Sequence, residues 1–346
     1  MSPTKNSAAI FNSVPQGYPV LGETIITGHS TIDIENVPLA GGILAKTVYL
    51  AIDPYLRGRM REPSSGGYVS EFTKGKPIMN YGVAKVIRSE KNGISSGDLL
   101  YVYDLPFQEY NVLQPEHSIR VIKEEPGVPL SLYIGILGMP GQTAFYGLET
   151  VGKPVKGETI FVSSGASAVG SLVVQLAKAK GLKVIASVGS DDKVDFLKSI
   201  GADVAFNYKK DTIASVLAKE GPIDVYWDNV GGSTLEAALD AFNTGGRVIL
   251  CGAISQYNAT EPYAIKNMTN ALFKRLRIEG FFVTHGEQEY EGELNNPTRF
   301  LDALIPLIQS GQIKWSEQMY KGIESVGESI IAVQRGSNTA KVIIEV

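Results

Sequence analysis

The chain has 346 residues, 44% of them hydrophobic and 20% charged, and its 32 Lys and Arg against 36 Asp and Glu leave a net charge of −4. That length exceeds the roughly 250 residues at which a single core stops growing, so two domains are expected, and the average composition excludes disordered and fibrous classes. So small a net charge, without a long basic tract, sets nucleic acid aside as a partner, and the one cysteine, Cys251, excludes an internal disulfide and any zinc site that needs two or more thiolates.

Met1-Ser2-Pro3-Thr4-Lys5-Asn6 has no apolar signal core after it, and Ile344-Glu345-Val346 matches no address or lipidation motif. A reducing, cytoplasmic setting is the expectation. Up to about residue 125, short extended runs alternate with turns. Residues 47–52 read as a strand stopped by Asp53-Pro54, residues 82–87 as a second, and residues 99–103, entered through Ser96-Gly97-Asp98, as a third. Their β-branched and aromatic residues between Gly, Pro and Asp stops predict a compact, mostly β domain. Arg57, Arg59 and Arg61 read as a solvated basic loop. Residues 126–148 carry no charge, yet Pro129, Pro140, Gln142 and five glycines interrupt them, so buried core is expected there rather than a membrane span. His29, His117 and His285 show no ligand spacing.

After Gly152 the texture changes. Residues 158–162 form a buried-strand pattern, and 171–180 a helix with Leu172, Val173, Leu176 and Ala179 on one face, closed by Gly181. A strand at 183–188 and a helix at 191–200, stopped by Gly201, follow. Strands at 223–228 and 247–252 flank a helix at 233–242. This alternation predicts a parallel, doubly wound sheet with helices on both faces. A helical pattern at 299–309 and Gly311 separate it from the strand-like run 340–346, which is expected to return to the first domain. The expected division is therefore 1–125 with 313–346, and 126–312.

Between the strand at 158–162 and the helix after it lies Gly165-x-Ser167-x-x-Gly170. A strand, a tight glycine turn and a helix N-terminus form the arrangement that binds a dinucleotide pyrophosphate, because first-turn N–H groups lack intrahelical acceptors and the helix dipole favours an anion. Ser167 stands where the second glycine of the full motif would be, and its hydroxyl offers a donor to phosphate. The second strand ends in the neutral Val188-Gly189-Ser190 rather than in the Asp or Glu that holds an NAD ribose, and Lys193 follows within the next helical turn. Its ammonium suits a 2′-phosphate, so NADP is expected over NAD. Asp191 and Asp192 read as helix-capping residues.

Several segments are similar to one family. Ala51-Ile52-Asp53-Pro54-Tyr55-Leu56-Arg57-Gly58-Arg59-Met60, Asn80-Tyr81-Gly82-Val83-Ala84-Lys85-Val86 and Leu137-Gly138-Met139-Pro140-Gly141-Gln142-Thr143-Ala144 resemble the zinc-independent medium-chain dehydrogenases/reductases. So do Phe206-Asn207-Tyr208-Lys209, Asp228-Asn229-Val230-Gly231-Gly232 and Cys251-Gly252-Ala253-Ile254-Ser255-Gln256-Tyr257-Asn258. The likeness is greatest to the branch of prostaglandin reductases and plant double-bond (alkenal) reductases, and it runs in family order over nearly the whole chain. It implies an α/β fold, a GroES-like β domain interrupted by a Rossmann domain, and a homodimer.

By the same resemblance, Ser167, Ala168, Val169 and Gly170 meet the pyrophosphate, and Lys193 and Tyr208 the adenosine phosphate. Asn229, Cys251, Gly252, Ala253, Ile254, Ser255 and Tyr257, the strand-like Phe281, Phe282 and Val283, and Asn338 line the rest of the NADP channel. Thr284-His285-Gly286 departs from the family pattern. The implied reaction is NADPH-dependent reduction of the C=C bond of a small α,β-unsaturated aldehyde or ketone without a metal. Hydride reaches the β-carbon, and a tyrosine and the nicotinamide ribose hydroxyl stabilise the enolate. Tyr257 is the first candidate donor, with Tyr55 and Tyr81 orienting the carbonyl. Two rivals remain open: an NADPH quinone oxidoreductase, and a catalytically silent NADPH-binding sensor.

Overall fold

The computed structural model describes residues 3–63, 66–67, 69–284 and 297–346. His285 and Gly286, singled out above, lie outside the described residues. The chain forms two compact units, Met1–Gly135 with Glu317–Val346, and Ile136–Ser316.

The first unit is built on a seven-stranded sheet beside a separate hairpin of β1 (Thr4–Phe11) and β2 (Ile25–Ile32). Strands β3 (Ile43–Ala51), β4 (Met79–Ser89), β5 (Leu99–Pro106) and β7 (Ile119–Val121) run antiparallel in that order, with β6 (Tyr110–Leu113) also paired to β3. From the chain's end, β14 (Glu317–Lys321) and β15 (Lys341–Glu345) join the free side of β3, with Ile343 opposite Ala51. Phe11, Ile43, Leu50, Leu105, Phe107 and Ile344 are fully buried in one core, and Ile330 of the helix Val326–Arg335 joins them.

Residues 126–135 fall in this unit, not in the second as the sequence suggested. The Tyr133 hydroxyl donates to the Lys123 carbonyl at 2.9 Å, and the Ser131 hydroxyl donates to Glu317 at 2.7 Å. Most of the remaining charge-free stretch is the helix Met139–Gly147, buried nearly throughout. Among the described residues no helix is long and apolar enough to cross a membrane.

The second unit is a six-stranded sheet, all parallel, in the order β10 (Val204–Asn207), β9 (Lys183–Val188), β8 (Thr159–Val162), β11 (Ile223–Asp228), β12 (Phe242–Leu250), β13 (Arg277–Gly280). Numbered within the sheet this is 3-2-1-4-5-6, whose order reverses beside its first strand, where ligands of such sheets bind. Phe161 stacks on Tyr226 at 4.9 Å between centroids, and Phe206, Leu217 and Val248 complete that core. Elements without a clear sequence signal include β10 and the helix Ile213–Glu220, which Thr212 caps through the Ser215 N–H. The expected strand at 281–283 is displaced, because ladder pairing ends at Gly280 and Phe281 follows it, its N–H donating to the Leu250 carbonyl at 3.0 Å. Likewise β12 ends at Leu250, one residue before Cys251.

Candidate functional site

The turn after β8 leads into the helix Ala168–Ala179. Two glycines are dictated by crowding. A Cβ on Gly170 would stand 2.4 Å from the Ser164 carbonyl oxygen, and one on Gly165 would stand 2.9 Å from the Ala186 side chain. Ser164 takes a left-handed conformation to make the turn. Ser167 is the N-cap, its oxygen accepting the Gly170 N–H at 3.0 Å. Its lone pair therefore caps the helix, while a hydroxyl still has a proton to donate. Ala168 and Val169 start the helix, and first-turn N–H groups have no acceptor within a helix.

At the end of β9 the structure places Lys193 half-buried in the first turn of the helix Asp191–Ser199. Burial, and next the Lys209 ammonium, hold the Lys193 ammonium below the ordinary lysine range. Two cations thus meet where the sequence indicated one. Tyr208 is exposed beside them, its hydroxyl 3.0 Å from where a Cβ on Gly189 would stand. Ser190, not an aspartate, holds the cap position. Asp191 is engaged instead by Lys210 at 2.5 Å and by Asn207 at 3.0 Å, and these partners hold its carboxyl below the usual range.

A buried network beyond β8 and β11 was not legible in the sequence. Asp228 accepts the Tyr226 hydroxyl at 2.7 Å and the Val230 and Gly231 N–H groups at 2.9 and 2.8 Å. Burial raises its carboxyl nonetheless. Ser163 joins this cluster, its oxygen accepting the Asn229 N–H at 3.0 Å while the Asn229 amide donates to the Ser163 carbonyl at 2.7 Å. The start of the glycine turn is thereby tied to the 228–231 loop. Cys251 and Gly252 in turn donate to the Asp228 carbonyl, and Ser255 donates through its hydroxyl to Val230 at 2.6 Å. Asn229 and residues 251–257 therefore form one bonded assembly.

Tyr257 closes that assembly, half-buried, its hydroxyl oxygen accepting the Ala253 N–H at 3.2 Å. The Cys251 thiol, pushed up to about 12 by burial and then by Asp228, is no thiolate at neutral pH. Phe281 and Val283 are buried, and Phe281 with Trp227 crowds Gly147. Asn338 lies in the first unit and donates to the Ala340 carbonyl at 2.8 Å.

In the first unit, Asp53-Pro54 ends β3's run, and a turn followed by the short helix Leu56–Arg59 sets Tyr55 beside β4. Tyr55 donates to the Asn80 carbonyl oxygen. Asn80, fully buried, donates in turn to the Ala51 carbonyl at 2.8 Å and to Asp53 at 2.9 Å. Lys341 reaches Asp53 at 2.6 Å and the Ile52 carbonyl at 2.9 Å. Both ends of that ion pair are buried, with side chains 5% and 6% exposed. Tyr81 stacks on Tyr101 at 5.8 Å and meets Tyr103 edge-on. Burial is the main cause that raises both phenols, Tyr55 and Tyr81, with each other's neighbourhood of Asp53 and Asp104 adding to it.

The three arginines form no solvated loop. Arg59 is 5% exposed, lies over the Phe72 ring and donates to the Ser70 and Met79 carbonyls. Arg57 donates to the Pro15 and Gly17 carbonyls, and Arg61 to that of Val69. Carbonyls of distant loops capture these guanidinium groups, which sequence spacing does not reveal. Among the described residues no three His, Cys, Asp or Glu side chains cluster as metal ligands.

Known proteins align with this architecture. The family described as Zinc-binding dehydrogenase matches residues 168–296, and the N-terminal domain of oxidoreductase matches residues 9–121. A 2-alkenal reductase (NADP(+)-dependent) of Nicotiana tabacum is 38% identical, over 99% of this chain and 97% of its own length. The (+)-pulegone reductase of Mentha piperita is 37% identical over 88% of each chain. Among solved structures, CurA from Vibrio vulnificus in complex with NADPH superposes with a TM-score of 0.85 at 29% identity, over 98% of each chain.

Proposed function

Because the chain belongs to the alkenal/enone reductase branch of the medium-chain dehydrogenase/reductase family, we propose that it uses NADPH to reduce the C=C bond of α,β-unsaturated aldehydes or ketones. The observation that carries this reading is the similarity, along essentially the full chain, to a 2-alkenal reductase that is NADP(+)-dependent.

The residues present fit the cofactor. A Cβ at residue 170 would strike backbone, so glycine is what permits this turn, and the first-turn N–H groups of the helix it leads into suit a pyrophosphate. Ser167, Ala168, Val169 and Gly170 would hold that group, and Lys193 with Lys209 a 2′-phosphate. Asn229, residues 251–257 and Phe281 to Val283 would line the remainder. Bound NADPH supplies a hydride for the β-carbon of the substrate.

What the chain's own residues then contribute is charge stabilisation and a proton. Negative charge develops on the carbonyl oxygen, and a phenol held by the assembly of residues 228–257 can donate to it. Tyr257, whose oxygen accepts the Ala253 N–H at 3.2 Å within that assembly, is the phenol assigned to the role. The α-carbon takes its proton from a phenol or from water.

Purified protein is expected to oxidise NADPH in the presence of an enone and to yield the saturated ketone, identified by mass spectrometry. Cofactor binding without turnover over a broad carbonyl panel would favour a sensor, and faster turnover of a quinone than of any enone would favour a quinone reductase. A homodimer belongs to the same reading. The outer edge of β13 has no partner strand among the described residues, and Leu272 and Phe273, just before it, are 75% and 73% exposed. Sedimentation should give twice the chain mass, and Leu272→Glu with Phe273→Glu should halve it; a wild type that sediments as one chain removes the dimer.

A further inference from the structure

Two residues meet where the order of the parallel sheet reverses. Ser163 directly follows β8 and Asn229 directly follows β11, and these strands are neighbours in the sheet. Ligands of such sheets bind at that place. Asn229 is half-buried there, with its backbone and its side chain both bonded to the protein. Its N–H donates to the Ser163 hydroxyl oxygen at 3.0 Å, and its carbonyl accepts the Ile254 N–H at 3.3 Å. In the side chain, the amide nitrogen donates to the Ser163 carbonyl at 2.7 Å, and the amide oxygen accepts the Trp227 indole N–H at 3.1 Å.

Those two partners admit one orientation of the amide. A backbone carbonyl has no proton to give and an indole N–H has no lone pair to offer. Turning the amide over would therefore oppose oxygen to oxygen and N–H to N–H. The Cys251 thiol also faces the indole N–H, but sulfur is the weaker acceptor. Trp227 is fully buried and held by packing, since a Cβ on Gly147 would stand 2.7 Å from Cη2 of its ring. An amide nitrogen carries two protons, and the Ser163 carbonyl takes one of them. The direction of the second is then set as well.

We propose that Trp227 is a positioning residue for the cofactor: its indole N–H fixes the Asn229 amide, so that the second amide proton is offered to an acceptor oxygen on the nicotinamide half of NADP(H). The proposal rests on the reading that puts Asn229 in the NADP channel, and says what that side chain does there. With the amide already ordered in the free protein, binding costs no further ordering of it. Lys193 and Lys209 serve the 2′-phosphate at the other end of the ligand, so the effect of Trp227 is confined to one half of the cofactor.

The test measures binding, not turnover. Calorimetry with NADP+ and with 2′,5′-ADP, which carries the 2′-phosphate but no nicotinamide, compares wild type, Trp227→Phe, Asn229→Ala and the double variant. Phenylalanine keeps an aromatic ring and removes the indole N–H. Trp227→Phe should raise the Kd for NADP+ about tenfold, the worth of about one hydrogen bond, and leave that for 2′,5′-ADP within about twofold. In the Asn229→Ala background the same substitution should move the NADP+ Kd by less than about twofold, because the group through which it acts is gone. Should Asn229→Ala fail to fold, Asn229→Ser replaces it in the cycle.

Losses that simply add in the double variant would make Trp227 a packing residue and overturn the proposal. So would an equal loss of both ligands in Trp227→Phe, or no loss of either. Unchanged NADP+ binding in Asn229→Ala would take that residue out of the channel, and the proposal with it. A wild type that binds neither NADP+ nor 2′,5′-ADP instead removes the NADP site itself.

Discussion

Tyr257→Phe should lower kcat for enone reduction by about 100-fold, the loss expected when one preorganised donor to a developing oxyanion is removed. The argument depends on where Tyr257 is held. Its loop is bonded through Cys251, Gly252 and Ser255 to the 228–230 segment, and Asp228 beneath is pinned by Tyr226. The phenol is thus carried by the rigid ends of β11 and β12, which lowers the reorganisation needed as charge builds on the substrate. Since enolate charge appears only along the reaction coordinate, kcat should fall more than KM rises. The variant also leaves the Ala253 N–H without its acceptor, a structural cost on the order of 1–2 kcal/mol. A thermal melt separates the two effects, because that cost shifts Tm by a few degrees without lowering kcat in the remaining folded enzyme. A kcat within twofold of the wild type would return Tyr257 to a packing role.

How much of this was visible in the sequence depended on the range of the interaction. The strands at 183–188 and 223–228 matched the structure to the residue, because buried parallel strands declare themselves by local apolar runs. So did the helix at 298–309, within one residue, from its apolar period. Weak local signals were lost: β10 has four residues, two of them only half-buried. Asn80 and Tyr55 stood inside quoted segments, yet nothing in their spacing says that one accepts from the other.

The Ser163, Tyr226 and Asp228 cluster joins residues more than 60 positions apart and leaves no periodic trace. Lys341 did leave one, a single cation within the apolar run Ala340 to Ile344. A charge almost never enters such a strand unless it is paired, so a buried acid could have been sought for it. Arg59 shows the converse failure. Its position among three alternating arginines resembles a basic surface, and only the folded loops show the carbonyls and the Phe72 ring that take it in.

Lys193→Ala should raise the KM for NADPH by about 10- to 100-fold and that for NADH by far less, because only NADPH carries a 2′-phosphate. The electrostatics around Lys193 make this discrimination specific. Burial and the Lys209 ammonium both disfavour its charged form, so two cations are kept close at a cost in the free protein that a dianionic phosphate would relieve. Asp191, two residues before it, is engaged by Lys210 and Asn207. Lys209→Ala should therefore act in the same direction but more weakly, as Lys209 is the more exposed of the two. Raising the salt concentration should narrow the difference between the two cofactors in the wild type and narrow it less in Lys193→Ala, where of the two cations only Lys209 remains to be screened. Equal losses for NADPH and NADH in Lys193→Ala would place the lysine outside the phosphate site and leave the neutral end of β9 without a cation to explain it.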